Sequence, residues 1–171
     1  AVAAGLSVSV NTPLCSVNSD YVATLRFVHS LGVRYVTCSG LIPSGSACGQ
    51  ESRATALAAD ELTDILRQAV DTARELGIEL DFTSPGWLDE ETLRELGLSL
   101  IPSCGACLSN MAVTPDGKVV PCQSWLSDAP LGDLLHDEWA DIWDSPRCAA
   151  IRAESAKMEH LCQLKGKETA E

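Results

Sequence analysis

The sequence predicts an α/β fold, in which C-terminal βα units of a partial (β/α) barrel at residues 1–100 precede a small cysteine-rich α+β domain at residues 101–171. Two patterns predict this division. The first hundred residues alternate short apolar segments with longer segments of helical periodicity, and that alternation favours parallel strands. Five of the eight cysteines follow, around a pattern typical of a β-hairpin.

The first predicted unit is a strand, a helix and a second strand. Apolar residues alternate over residues 6–10 and run into Asn11-Thr12-Pro13, which predicts a strand that ends in a turn. An apolar stripe at helical spacing over residues 21–31 predicts a helix, which Gly32 would end. Residues 33–37 then have the composition of a buried strand.

The second unit follows a long loop. Residues 39–52 are rich in Gly, Ser and Pro, and a loop of this length is a candidate functional loop. A helix with one apolar face is predicted over residues 60–76, with Gly77 as its C-terminal stop. Residues 78–82 alternate as a strand.

A third, shorter unit is predicted at residues 89–96, with Gly97 before a strand over residues 98–100. A complete eightfold barrel needs roughly 250 residues. The first hundred residues supply only two or three βα units, so we expect a part of such a barrel, with more of it upstream. The first residue, Ala1, is not methionine, which agrees with missing upstream residues.

The charge and the cysteines limit the possible partners and the compartment. Lys and Arg number 12 against 24 Asp and Glu, a net charge of −12, which argues against a nucleic-acid partner. No apolar run reaches the length of a membrane span, and Ala1 to Val10 make a poor signal peptide. We therefore expect a cytoplasmic protein whose clustered cysteines bind metal rather than form disulfides.

The hairpin pattern places one cysteine at its base. Pro115-Asp116-Gly117 separates two short apolar runs and predicts a tight turn. If Thr114 faces Lys118 across that turn, then Asn110 faces Cys122. The base of the hairpin is therefore the expected location of the Cys122 thiol.

Two further cysteines precede the hairpin closely. A bend at Gly105 would bring Cys104 and Cys107 towards Cys122. Three convergent thiolates can hold either a zinc ion or an iron–sulfur cluster, and the spacing alone leaves both open.

The fourth ligand is expected from the C-terminal segment, and Cys162 is preferred over Cys148. Ser145-Pro146 predicts the start of a helix. If one helix joined the two cysteines, their separation would be about 21 Å and only one of them could serve. The remaining cysteines (Cys15, Cys38 and Cys48) are expected to be buried or loop thiols.

The sequence resembles the radical SAM enzymes that carry a SPASM or Twitch C-terminal extension. The spacing Cys107-x9-Gly117-x4-Cys122 carries the resemblance most strongly. Weaker matches are Leu131-Gly132-Asp133-Leu134, Asp141-Ile142-Trp143-Asp144-Ser145 and, upstream, Val8 to Thr12, Asn18, Leu31-Gly32-Val33 and the loop from Gly40 to Gly45.

The resemblance implies a partial barrel that uses a 4Fe–4S cluster and S-adenosylmethionine to abstract a hydrogen atom, and an extension that holds auxiliary 4Fe–4S clusters. The C-x3-C-x2-C motif of the first cluster is absent. We therefore expect the C-terminal part of such an enzyme, inactive by itself, with S-adenosylmethionine and its cluster bound upstream. The single late Cys162 favours one auxiliary cluster, and Gln123 argues against a sulfatase maturase.

By resemblance, Asn11, Thr12, Ser39 and Gly40 are candidates to line the S-adenosylmethionine pocket, although ordinary turn roles explain them as well. The resemblance also implies a peptide or peptide-derived substrate and a reductant protein. Alternatives are an enzyme of cofactor or heme biosynthesis, a zinc-stabilised binding module without redox role, and a small-molecule barrel enzyme with incidental cysteines.

Overall fold

The computed structural model describes residues 1–42, 44–84, 87–99, 104–126, 128–157 and 162–164. Over these residues the chain forms two three-stranded sheets and six α-helices, which confirms the predicted α/β class. Two compact units are present, and each is described by itself. Unit 1 comprises residues 1–41 and 49–101, and unit 2 comprises residues 42–48 and 102–171.

Unit 1 consists of strand–helix units around a parallel sheet in the order β1-β2-β3. Its elements are β1 (Ser9–Leu14), α1 (Tyr21–Ser30), β2 (Tyr35–Gly40), α2 (Gln50–Arg53), α3 (Ala59–Leu76), β3 (Glu79–Phe82) and α4 (Glu90–Leu96). In the sheet, Asn11 lies beside Thr37, and Thr37 lies beside Asp81. The predicted parallel pairing of successive strands is confirmed.

The helix ends follow local capping chemistry. Asp20 caps α1 by accepting from the Ala23 backbone N–H at 3.0 Å. Gly77 ends α3 with a φ of 65°, as predicted. Glycine adopts this left-handed conformation without the steric cost that a Cβ imposes.

Three strand predictions differ from the structure. Asn11-Thr12-Pro13 was assigned to a turn but lies inside β1, which is an edge strand of the described sheet. Proline is tolerated there because an edge strand leaves one row of its N–H groups without sheet partners. β2 begins two residues later than predicted and continues to Gly40. Residues 98–99 form no strand, and Leu100 lies outside the described residues.

The core of unit 1 is aliphatic. α1 and α3 each bury one apolar stripe, as the helical spacing predicted. The most deeply buried of its large side chains are Leu14, Tyr21, Leu25, Val36, Leu62, Leu66 and Phe82. No helix in the described ranges is both long and apolar enough to traverse a lipid bilayer.

The predicted loop over residues 39–52 is more structured than expected. It contains the end of β2, a 3₁₀ turn at Gly45–Cys48 and the short α2. Residues 42–48 belong to unit 2, where Ile42 packs against the core and the Ser44 hydroxyl donates to the Ser124 carbonyl.

Over its described residues, unit 2 contains an antiparallel sheet in the order β4-β5-β6 and two α-helices. Its elements are β4 (Ala112–Val113), β5 (Lys118–Val120), β6 (Gly132–Asp133), α5 (Trp139–Trp143) and α6 (Pro146–Ser155). The Thr114 N–H donates to the Lys118 carbonyl at 2.8 Å, which confirms the predicted hairpin register. β6 was not predicted, because a strand of two residues leaves no periodic pattern.

Candidate metal centre

The segment that carries the first two cysteines turns sharply at Gly105. The backbone N–H groups of Leu108, Ser109 and Asn110 all donate to the Gly105 carbonyl, at 2.9, 2.9 and 3.1 Å. Gly105 has a φ of 71°, and a Cβ on it would lie 2.4 Å from Ser109 Oγ. Both features require glycine, so the predicted bend is confirmed.

Cys107 joins this turn to the base of the hairpin. Its N–H donates to the carbonyls of Asn110, at 3.0 Å, and Pro121, at 3.2 Å. Cys107 has a φ of 54°, the only positive φ of a non-glycine residue in the described part of the chain. Such a conformation costs about 1–3 kcal/mol and persists only where surrounding contacts hold it. These contacts place the Cys107 backbone beside the residue that precedes Cys122.

Cys122 lies two residues after the end of β5, and backbone N–H groups and other thiols are close to its thiol. Burial raises the pKa of the Cys122 thiol, while the nearby backbone N–H groups of Ser124 and Trp125 lower that pKa by favouring the thiolate. The neighbouring thiols of Cys162 and Cys104 raise the pKa further by charge repulsion. Cys104, Cys122 and Cys162 therefore form one group of neighbouring thiols.

Cys148 lies in the first turn of α6 and forms a second group with Cys107. The Ser145 hydroxyl caps the helix by accepting from the Cys148 N–H at 3.2 Å, and Pro146 occupies the first turn, as predicted. Cys107 and Cys148 are fully buried, and their thiols are close enough for Cys148 to raise the pKa of Cys107.

The C-terminal segment folds back onto α6, which ends at Ser155. Gln163 Nε2 donates to Ser155 Oγ at 3.0 Å and to the Ile151 carbonyl at 3.3 Å. It also lies 3.6 Å from Cys104 Sγ. The separation of about 21 Å predicted for Cys148 and Cys162 required one continuous helix. Because the helix stops early, both cysteines reach the same core.

All five late cysteines therefore share the core of unit 2. This core contains Ala106, Cys107, Trp125, Cys148, Ile151 and Leu164, with Cys104, Cys122 and Cys162 among the side chains packed against it. Across the described ranges, no three His, Cys, Asp or Glu side chains are arranged to hold a metal ion. The thiols thus share one core in two groups, and convergence of Cys104, Cys107 and Cys122 on one point stays a prediction. The donors are all thiols, which suit an iron–sulfur cluster.

The pKa of the Cys107 thiol reflects its buried position in this core. Burial raises the pKa of Cys107 to about 12, and the neighbouring Cys148 thiol acts in the same direction. The guanidinium groups of Arg152 and Arg147 oppose that rise by favouring the thiolate. Without a metal, Cys107 is a protonated thiol at neutral pH, and a bound metal would take the place of its proton.

The four residues predicted for the S-adenosylmethionine pocket separate into two pairs. Successive strand residues face opposite sides of a sheet, so Asn11 and Ser39 share one face, and Thr12 and Gly40 share the other. Thr12 Oγ1 lies 2.5 Å from the Tyr21 hydroxyl. A Cβ on Gly40 would collide with the Trp87 ring at 2.1 Å. Tyr21 and Trp87 therefore cover the second face at these two positions.

The early cysteines have separate environments. Cys38 is fully buried and its thiol donates to the Asp81 carbonyl at 3.6 Å, while Cys15 is also buried. Neither forms a disulfide. The side chain of Cys48 lies outside what the structure describes. Buried thiols at Cys15 and Cys38 agree with the prediction.

Sequence reasoning missed three polar residues around the thiols. Ser155 Oγ donates to the Ala106 carbonyl at 2.7 Å and lies 3.4 Å from Cys104 Sγ. Gln163 approaches the same sulfur. Arg152 Nη1 lies 3.7 Å from a different sulfur, Cys148 Sγ. The sequence contains one signal that could have identified two of these residues. Arg152 and Ser155 follow Cys148 by four and seven residues, the spacing of one helix face.

Comparison with known families gives one match. Residues 101–164 match the family model of SPASM, an iron-sulfur cluster-binding domain. The matched residues include all five late cysteines. The predicted resemblance is confirmed over this region, which is consistent with a SPASM domain of a radical SAM enzyme. No curated protein matches the chain.

Proposed function

We propose that unit 2 holds one auxiliary [4Fe–4S] cluster of a radical SAM enzyme. One observation carries the proposal: five thiols share a core within the residues that match an iron–sulfur cluster-binding domain. Cubane clusters are commonly held by four cysteine thiolates, so five neighbouring thiols supply a complete ligand set.

The proposed ligands are Cys104, Cys107, Cys122 and Cys162. The proximity of Cys104 and Cys162 to Cys122 supports three of them. Cys107 follows from the turn that bonds its backbone to Pro121. Cys148 is the alternative fourth ligand, because its thiol contacts that of Cys107.

Residues around the thiols would hold the cluster and limit its contact with water. The backbone N–H groups of Ser124 and Trp125 lie close enough to the Cys122 thiol to lower its pKa, and N–H dipoles near a sulfur stabilise the thiolate. Trp125, Ile151 and Leu164 are buried beside the thiols and exclude water. A [4Fe–4S] cluster, when bound, accepts and donates single electrons.

The remaining parts of the proposal concern the rest of the enzyme. The sequence contains no C-x3-C-x2-C motif, so radical generation is not assigned to residues of this chain. We expect a peptide or peptide-derived substrate, with a cofactor-biosynthetic intermediate as the alternative, and a reductant protein in the cytoplasm. Asn11 and Ser39, on the sheet face opposite Thr12 and Tyr21, are the better candidates for contact with S-adenosylmethionine.

Anaerobic reconstitution with iron and sulfide tests the proposal. The whole chain is expected to take up the iron and sulfide of one cubane cluster and to show its visible absorption. Single Cys→Ser variants at positions 104, 107 and 122 should lose most of that iron. The iron contents of Cys162→Ser and Cys148→Ser identify the fourth ligand, because only the variant that lacks it should lose iron. Cys15→Ser, which changes a buried thiol in unit 1, is the matched control and should load like the wild type.

Two results would contradict the proposal. Uptake of one tightly held zinc without sulfide would indicate a zinc-stabilised binding module, since four thiolates also suit zinc. Equal iron content in the wild type and in all three ligand variants would show that the iron is bound elsewhere.

A further inference from the structure

Arg152 is held rigidly beside the thiol core. Its Nη2 donates to the Trp143 carbonyl at 3.2 Å, and its Cζ lies 4.0 Å from the centroid of the Trp143 ring. Stacking of a guanidinium on an indole and a hydrogen bond to the same residue restrict it to one position. In that position Nη1 lies 3.7 Å from Cys148 Sγ.

The charge of Arg152 is directed at sulfur rather than at a carboxylate. Among the described residues, the ion pairs involve other arginines, lysines and one histidine, and none includes Arg152. Cys148 and the adjacent Cys107 are fully buried. A charge beside buried groups is weakly screened by solvent, so its influence there is larger than at the surface.

Arg147 provides an internal comparison on the same helix. It lies five residues before Arg152 in α6, and its Nη2 pairs with Asp128 Oδ2 at 3.7 Å. It also donates to the carbonyls of Ala129 and Pro130. Arg147 therefore has an opposite charge close by, which reduces its net effect on the thiols.

We propose that Arg152 is an electrostatic tuning residue that raises the reduction potential of the cluster in unit 2. The inference rests on the proposed function. One electron from a low-potential donor enters the cluster on reduction, no proton moves, and the negative charge of the cluster with its thiolates increases by one. A fixed guanidinium stabilises the more negative form, since net charge and hydrogen bonds to sulfur set cluster potentials.

The test compares the reconstituted whole chain with its Arg152→Gln, Arg152→Lys and Arg147→Gln variants. Each is reduced with dithionite in a potentiometric titration followed by EPR. For Arg152→Gln, the ratio of reduced to oxidised cluster at a fixed potential should fall at least about tenfold, a shift of about 59 mV for one electron. Arg152→Lys should lie near the wild type because it keeps the charge. Arg147→Gln should shift the ratio much less.

Other outcomes would overturn the inference, and they are distinguishable. Equal potentials in loaded wild type and Arg152→Gln would refute a tuning role while leaving cluster binding intact. Equal shifts in Arg152→Gln and Arg152→Lys would show that packing on Trp143, not charge, determines the potential. If both Arg152 variants fold by circular dichroism but lose their iron, the residue has a structural role. Absence of a cluster in the wild type would refute the proposed function, and this inference with it.

Discussion

Unit 1 and unit 2 bury different side chains in their cores. In unit 1, α1 and α3 bury aliphatic stripes that include Leu25, Leu62 and Leu66. In unit 2 the described strands have two or three residues each, and five cysteines lie in or against the core. Burial of apolar surface can stabilise the first arrangement by itself. The second offers less such surface, and small units of this kind commonly depend on a bound metal.

The same contrast holds for two individual thiols. Cys38 in unit 1 and Cys107 in unit 2 are both fully buried, and burial raises the pKa of each to about 12. Cys38 has a carbonyl and a tyrosine hydroxyl as partners, whereas Cys107 has a second thiol and two nearby arginines. Burial alone therefore does not distinguish a structural thiol from a ligand. The neighbours do.

Removal of iron should have the largest effect and should separate the two units. Stripping the reconstituted chain with a chelator under reducing conditions is expected to destabilise unit 2 by several kcal/mol, because metal binding and folding are coupled in such domains. Hydrogen exchange followed by mass spectrometry should show faster exchange over β4, β5 and α6. Exchange over α1 and α3 should stay unchanged.

The reverse perturbation is Leu66→Ala, which removes a fully buried side chain from α3. A cavity of this kind costs about 2–5 kcal/mol. The variant should exchange faster in unit 1 and retain its full iron content. If iron is lost in Leu66→Ala, or exchange rises equally in both units after chelation, the two units do not have separate sources of stability.

A smaller effect is expected for Gly105→Ala at the cysteine turn. An alanine there meets Ser109 Oγ at 2.4 Å and has an unfavourable φ of 71°. Gly77→Ala in unit 1 is the matched control, because its φ is 65° but its Cβ would have open space. Both variants cost about 1 kcal/mol of backbone strain. Only Gly105→Ala should also lower the iron retained during gel filtration, and equal retention would argue against a positioning role for this turn.

The smallest effect concerns the carboxyl group of Asp133 in the sheet of unit 2. The Lys118 ammonium and the Leu135 backbone N–H hold the pKa of Asp133 below its ordinary value. A lowered pKa in the folded state means that the stabilisation is present above about pH 4 and is lost as the pH falls below that. Lys118→Met should raise the pKa of Asp133 in an NMR titration. An unchanged pKa would show that the ammonium is not its main partner.

The extent to which sequence predicted structure also differs between the units. In unit 1 the helices α1, α3 and α4, their glycine stops and the parallel pairing were predicted, because periodic apolar patterns report which face is buried. The short α2 was not, because it lies in a segment rich in Gly, Ser and Pro. The strand β1 was placed too early, since Pro13 resembles a turn signal unless its position at a sheet edge is known. In unit 2 the hairpin register and the cap of α6 were predicted from local turn and capping chemistry, while β6 was too short to leave a pattern.

The sequence by itself determined the kind of metal donor, because cysteine spacing around a Pro-Asp-Gly turn limits the donors to thiols near one hairpin. Only the tertiary structure decided which thiols become neighbours. The end of α6 at Ser155 and the return of Gln163 onto that helix bring Cys162 and Cys148 into one core. The tertiary structure also placed Arg152 between Trp143 and Cys148. Contacts between residues distant in sequence depend on where helices end and how the chain returns, and local patterns do not encode that return.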